Sequence, residues 1–157
     1  MEKEIKELIE QNAVINTVNR LFINTDERKW QAVSDCFADE VLFDMTSMVG
    51  GETMKLTSQQ IVDTWDAGLK GLKAIHHQAG NYIVTIKENE ADVFCYAIAT
   101  HYFPNPSGNN TYTFVGSYNF HLVKKNRSWK IDLFKFNLKY TDGNSNLSQL
   151  AQEELRH

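Results

Sequence analysis

Histidine is the side chain whose ordinary pKa lies nearest neutrality, so proton-transfer chemistry is sought first among the five histidines of this chain. Two of them, His76 and His77, stand side by side in "KAIHHQAGNY". Successive strand residues face opposite ways, so at most one of the pair enters a given cavity, and a bulge expected at Gly80 keeps parity from choosing between them. A third, His101, lies near the end of "ADVFCYAIATHYF", whose odd positions Ala91, Val93, Cys95, Ala97 and Ala99 are small and apolar, as a face approached by helices or a ligand requires. In "TYTFVGSYNFHLV" the odd positions carry Ser117, Asn119 and His121, and the even ones Tyr112, Phe114, Tyr118 and Phe120. If the odd face is again concave, Ser117 and Asn119 enter the same cavity as His101; polar side out and aromatics in is equally compatible with parity. A histidine beside hydroxyl and amide groups in a cavity is equipped for general acid/base catalysis, whereas the same histidine hydrogen-bonded in a core does nothing.

The elements that must position these residues can be read from periodicity. Ile5, Leu8, Ile9, Ile15, Val18, Leu21 and Phe22 recur at helical spacing and predict a long amphipathic first helix ending at "NTDERKW". Trp30, Val33 and Phe37 mark a short second helix ending near "FADE", with "VLFDM" as a strand after it. A Gly-Gly turn at 50 and 51 precedes a third helix, N-capped by Thr57 or Ser58, that carries Ile61, Trp65 and Leu69 on one side. Residues 73–87, 91–103, 111–124 and 128–140 read as long strands joined by short turns, an antiparallel meander. Apolar parity switches around Gly80 and again between Leu133 and Phe134, which predicts bulges that bend the sheet. The expectation is an α+β fold, a cone-shaped, strongly curved, mostly antiparallel sheet with helices on its concave face. One domain spans 1–157, its core at about 5–140, with a short polar helix or frayed tail over 144–157.

Bulk properties exclude several functions. A formal net charge of −4 without long like-charge blocks gives no footprint for nucleic acid or an anionic membrane surface. No segment reads as a secretory signal or a membrane span, and Cys36 and Cys95 lie far apart as buried hydrophobes would in a reducing compartment, so a cytoplasmic protein without disulfide or metal is expected. Two neighbouring strands rich in aromatics on one face predict a homodimer or higher homo-oligomer through the convex side of the sheet.

The segments "TDERKWQAVSDCFADEVLFD" and "HHQAGN", the strand bearing His101, "GSYNFHLVKK" and "SWKI" together resemble the SnoaL-like group of the nuclear-transport-factor-like superfamily, whose fold is cystatin-like. In site pattern they are similar to the scytalone dehydratases of that group. The resemblance carries the dehydratase aspartate onto Asp26, its two histidines onto His77 and His101, and its serine and asparagine onto Ser117 and Asn119. It thereby implies His77, not His76, as the acid/base, oriented by Asp26. The places of two substrate-orienting tyrosines hold Thr25 and Met45, which implies a different substrate, with Tyr82, Tyr96, Tyr102 or Tyr118 left to supply a phenol. The activity so implied is that of a cofactor-independent dehydratase or related lyase, isomerase or cyclase. Its substrate would be a small hydrophobic hydroxy-carbonyl, polyketide-like or steroid-like, in an internal pocket.

Three alternatives compete. A ketosteroid-isomerase mechanism needs a strand carboxylate where Met45 stands beside Asp44, and an epoxide-hydrolase one needs a strand arginine where Arg127 falls in a turn. A non-catalytic ligand-binding or dimeric assembly module on the same scaffold would need no Asp26–His77 contact.

Overall fold

The apolar stripe of the first helix faces in only from its middle onward, and that places everything else. In the computed structural model, which describes all 157 residues, α1 (Glu2–Asp26) buries Val14, Val18, Leu21 and Phe22, whereas Ile5, Leu8 and Ile9 are more than half exposed on turns that overhang the sheet. Glu10 anchors the helix there, accepting hydrogen bonds from Lys124 Nζ (2.5 Å) and Trp129 Nε1 (2.9 Å).

After α1 come α2 (Trp30–Cys36), β1 (Phe37–Asp44), a short α3 (Thr46–Val49), β2 (Met54–Thr57) and α4 (Ser58–Leu69). The strands β3 (Ala74–Lys87), β4 (Glu90–Tyr102), β5 (Thr111–Lys125) and β6 (Ser128–Gly143) come next, and α5 (Leu147–Glu154) ends the chain. Thr57 caps α4 in a reciprocal box: Gln60 N donates to its hydroxyl and Thr57 N to the Gln60 side chain.

The six strands form one open sheet in the order β2-β1-β6-β5-β4-β3. The four long strands make the expected antiparallel meander, and the fold is α+β as read from the sequence. Two elements were not legible: α3, and β2, which pairs with β1 and extends the sheet beyond it. β1 lies parallel to β6, so the sheet is mixed. "FADE" opens β1 instead of closing α2.

Register breaks occur where parity switches. One lies between Gly80 and Ile83, with Asn81 at a φ of 56°; another leaves Asp132 unpaired between Ile131 and Leu133. Each inserts a residue into one strand and sharpens the local bend. Inside the bend, β4 offers Ala91, Val93, Cys95, Ala97 and Ala99, and β5 and β6 offer Tyr118, Phe120, Phe134 and Phe136 to α1, α2 and α4.

The C-terminal helix is not a frayed tail. Leu147 and Ala151 are almost fully buried against Leu72, Ile75 and Phe103, and Gly71 lies so close to Ala151 that an added Cβ would stand 2.5 Å from its carbonyl oxygen. No helix is long and apolar enough to cross a membrane.

Candidate active site

Asp26 is the last residue of α1, and the turn after it is clamped in place. Arg28, at a φ of 56°, donates to the Leu72 and Leu69 carbonyls at 2.7 and 3.3 Å, and Trp30 Nε1 donates to Asp66 of α4 at 2.8 Å. The helix end is thereby held beside β3, the edge strand of the sheet. There the Asp26 carboxylate turns one oxygen to each half of a single residue: Oδ2 accepts the backbone N–H of His77 at 2.7 Å and Oδ1 lies 2.6 Å from its ring Nδ1. Asp26 does not cap α2, whose N-cap Lys29 makes no side-chain cap bond.

With a carboxylate as partner, Nδ1 of a neutral imidazole carries the proton and Nε2 the lone pair. Nε2 has no protein partner and is not sealed off. The ring stacks on Phe22, with centroids 5.2 Å apart and planes 17° from parallel, so its orientation is fixed from two sides. His76, one residue earlier, is exposed.

His77 opens on a cavity of about 200 Å³ between the sheet and the helices, walled by Phe22, Trp65, Leu69, Phe114, Phe134, Phe136 and both methionines of the β1–α3 region, Met45 and Met48. Ala97 and Ala99 form part of its wall on the sheet side, and there the strand's small residues leave room that larger ones would fill. His101 also lines the cavity, on the same face as His77 and one diagonal step away, since Ile75 pairs with His101 and His77 with Ala99. Its ring packs on Phe114 at 5.0 Å. Burial, then the nearby His77, push its pKa down to about 4 despite Asp26, so His101 is a neutral imidazole at physiological pH.

Five of the seven residues singled out from the sequence meet here. Asp26 contacts His77, while His77, His101, Thr25 and Met45 line the cavity. Thr25 presents little polarity to it, because its hydroxyl donates to the Leu21 carbonyl at 2.7 Å. Asp44 is taken up by Thr46, accepting from its N–H at 3.0 Å and its hydroxyl at 2.7 Å, which holds its pKa below the usual range. No ketosteroid-isomerase-like base is formed there.

Ser117 and Asn119 lie elsewhere. Cys95 pairs with Tyr118 and Tyr96 with Ser117, so odd positions of β4 share a face with even positions of β5. Ser117 and Asn119 therefore point to the convex side, where Asn137 Nδ2 donates to their side chains at 3.2 and 2.8 Å. The concave position between them belongs to Tyr118, which sequence parity left undecided. Two signals favoured this arrangement: the aromatic bulk of the even positions, and the cost of turning a serine and an asparagine toward a core. The thiols of Cys36 and Cys95 are buried and pushed up by that burial to about 11 and about 12, which leaves them protonated and unreactive.

The same architecture occurs in solved structures. A protein from Kribbella flavida superposes with a TM-score of 0.86 at 20% identity over 91% of this chain and 99% of its own. A provisionally named scytalone dehydratase from Novosphingobium aromaticivorans gives 0.76 at 16% over 88% and 89%. A hexachlorocyclohexane dehydrochlorinase from Novosphingobium barchaimii gives 0.72 at 12% over 90% and 94%. At these identities the likeness is one of fold. No curated protein matches the sequence. Residues 6–135 match the model of the SnoaL-like domain, and the chain belongs to that family.

Proposed function

We propose that the protein is a cofactor-independent lyase or isomerase in which His77, oriented by Asp26, moves a proton to or from carbon in a small apolar hydroxy-carbonyl compound. The observation that carries this reading is the closed Asp26–His77 pair, 2.6 Å from Oδ1 to Nδ1, with the other ring nitrogen free beside an apolar cavity. A binding module requires no carboxylate committed to fixing one imidazole tautomer.

For a β-hydroxy ketone the steps balance in atoms and electrons. Nε2 takes the proton α to the carbonyl, and the C–H pair becomes an enolate. The enolate reforms the carbonyl, makes the C=C bond and breaks the C–O bond, and the leaving hydroxide takes the proton from Nε2 to depart as water. Neutral His101 offers an N–H toward the departing oxygen. Positioned acid/base catalysis contributes about 10²–10⁴-fold, and the rest comes from stabilising charge development within the mostly apolar cavity. That a dehydratase and a dehydrochlorinase, both eliminating enzymes by their names, share the fold supports the reading.

The test is water loss from a panel of β-hydroxy ketones, monitored by mass spectrometry, with wild type, His77→Ala and Asp26→Asn. Turnover should vanish in the first variant and drop by about 10²–10⁴ in the second, whose amide permits the wrong tautomer. Turnover that survives His77→Ala overturns the mechanism.

A further inference from the structure

Three side chains of the cavity wall carry an oxygen: Thr25, Thr64 and Tyr118. The two threonines donate to helix carbonyls four residues back, Thr25 to Leu21 at 2.7 Å and Thr64 to Gln60 at 2.8 Å. Tyr118 is 5% exposed, yet its hydroxyl bonds to no protein group and is not sealed from the cavity. Buried polar groups are almost always paired, so a phenol left open in a mostly apolar wall points to a partner supplied from outside the chain. Its ring is immobilised, parallel to Phe120 at 5.3 Å and packed by Phe136 at 4.8 Å and Phe22 at 5.1 Å. Phe22 is also the ring on which His77 stacks, so one side chain sets the spacing between the phenol and the imidazole.

We propose that the Tyr118 hydroxyl is the donor that binds the substrate's carbonyl oxygen and places the adjoining C–H against His77 Nε2, which makes the substrate class a small carbocyclic ketone. The inference rests on the proton-transfer reading above and adds the positioning residue and the acceptor it recognises. Burial above all, with Cys95 and Asp26, raises the phenol's pKa further, so it stays a donor through the neutral range and strengthens its bond as enolate charge develops. The size of the site agrees. About 200 Å³ is below the roughly 300 Å³ at which sites for drug-sized ligands begin, and suits a molecule of about one or two rings.

The probes are 2-tetralone and tetralin, a ketone and a hydrocarbon of the same shape, titrated by the change in tryptophan fluorescence, which Trp65 in the cavity wall makes sensitive to occupancy, in wild type, Tyr118→Phe and His77→Ala. Exchange of the ketone's α-hydrogen for solvent deuterium, read by NMR, reports the proton transfer in the same tubes. Wild type should prefer the ketone, and Tyr118→Phe should lose that preference by about 2- to 10-fold while binding tetralin as before. The carbonyl stretch of bound tetralone should lie lower in wild type than in Tyr118→Phe, a signature a purely structural tyrosine does not produce. His77→Ala should keep the preference and lose the exchange. A wild type without preference for the ketone, or a preference and carbonyl band unchanged by Tyr118→Phe, overturns the proposal. Exchange above the protein-free rate that persists in His77→Ala overturns the proton-transfer reading instead. Since the hydroxyl has no partner in the free protein, Tyr118→Phe should melt at or above the wild-type temperature.

Discussion

His101 should make the fold acid-sensitive in a defined window. An unfolded histidine titrates near 6.5, and burial holds this one near 4 in the folded chain. Between those values the unfolded chain binds a proton that the folded chain refuses, and stability rises with pH wherever the unfolded state binds more protons. The contribution is therefore intact above about pH 6.5, falls as the pH drops toward 4, and is fully lost below that. Each unit of pKa difference is worth about 1.36 kcal/mol, so the ceiling is about 3 kcal/mol, and about 2 kcal/mol is already lost at pH 5. Against total stabilities of about 5–15 kcal/mol that is large. The carboxylates whose pKa values are lowered, Glu10 by its bonds to Lys124 and Trp129 and Asp44 by Thr46, are the same in wild type and in a variant at position 101, so their linkage cancels in the comparison. His121 acts in the opposite sense. Burial works against its charge, but Asp132, bonded to Nδ1 at 2.6 Å, and then Asp92 and Glu90 raise its pKa, so its contribution is present below 6.5 and lost as the pH rises through the raised value. His77 and Asp26, the titratable neighbours of His101 across the cavity, remain in any variant at position 101. Urea unfolding followed by tryptophan fluorescence at about pH 7.5 and pH 5 should thus show a loss that is smaller by about 2 kcal/mol in His101→Phe, which keeps an aromatic ring against Phe114. Equal losses in both proteins would refute the reasoning.

Two further outcomes rest on packing. A Cβ at Gly116 would stand 2.1 Å from the Asn137 carbonyl and 2.9 Å from the Phe136 ring, so Gly116→Ala should cost at least about 1–3 kcal/mol in urea unfolding and weaken tetralone binding through the displaced wall; an unchanged midpoint would show that β5 and β6 can part there freely. The convex face leaves Ile83, Tyr96, Ile98 and Tyr140 each about half exposed or more, and it is proposed to seat a second copy. Light scattering should give at least twice the chain mass, falling to a monomer in the double variant Tyr96→Lys with Ile98→Lys; a monomeric wild type removes this interface.

What could be read from the sequence divides along physical lines. The meander, the first helix and the bulges near Gly80 and Leu133 are local signals, set by periodicity within a dozen residues. The Asp26–His77 pair came from likeness to a family, since nothing local links residues 51 apart. The misplaced pair Ser117 and Asn119 turns on whether odd residues of β4 pair with odd or even residues of β5. That register is set by the geometry of the long "FPNPSGNN" connection, where no two-residue turn dictates it. The docking of α5 was hidden because only Leu147 and Ala151 of its residues are buried, too few to stand out in a polar segment.

The second oxygen of Asp26 has a consequence beyond orienting an imidazole. β3 ends the sheet, and a free strand edge is a template on which another chain can add a strand. By taking the His77 N–H, Asp26 occupies one of the donors along that edge, with α1 lying against the same strand. A carboxylate facing the edge also repels the carbonyls of any incoming strand. Asp26 therefore serves the strand edge as well as the ring: a replacement that kept the histidine tautomer but surrendered the backbone bond would leave one donor of β3 open to an incoming strand.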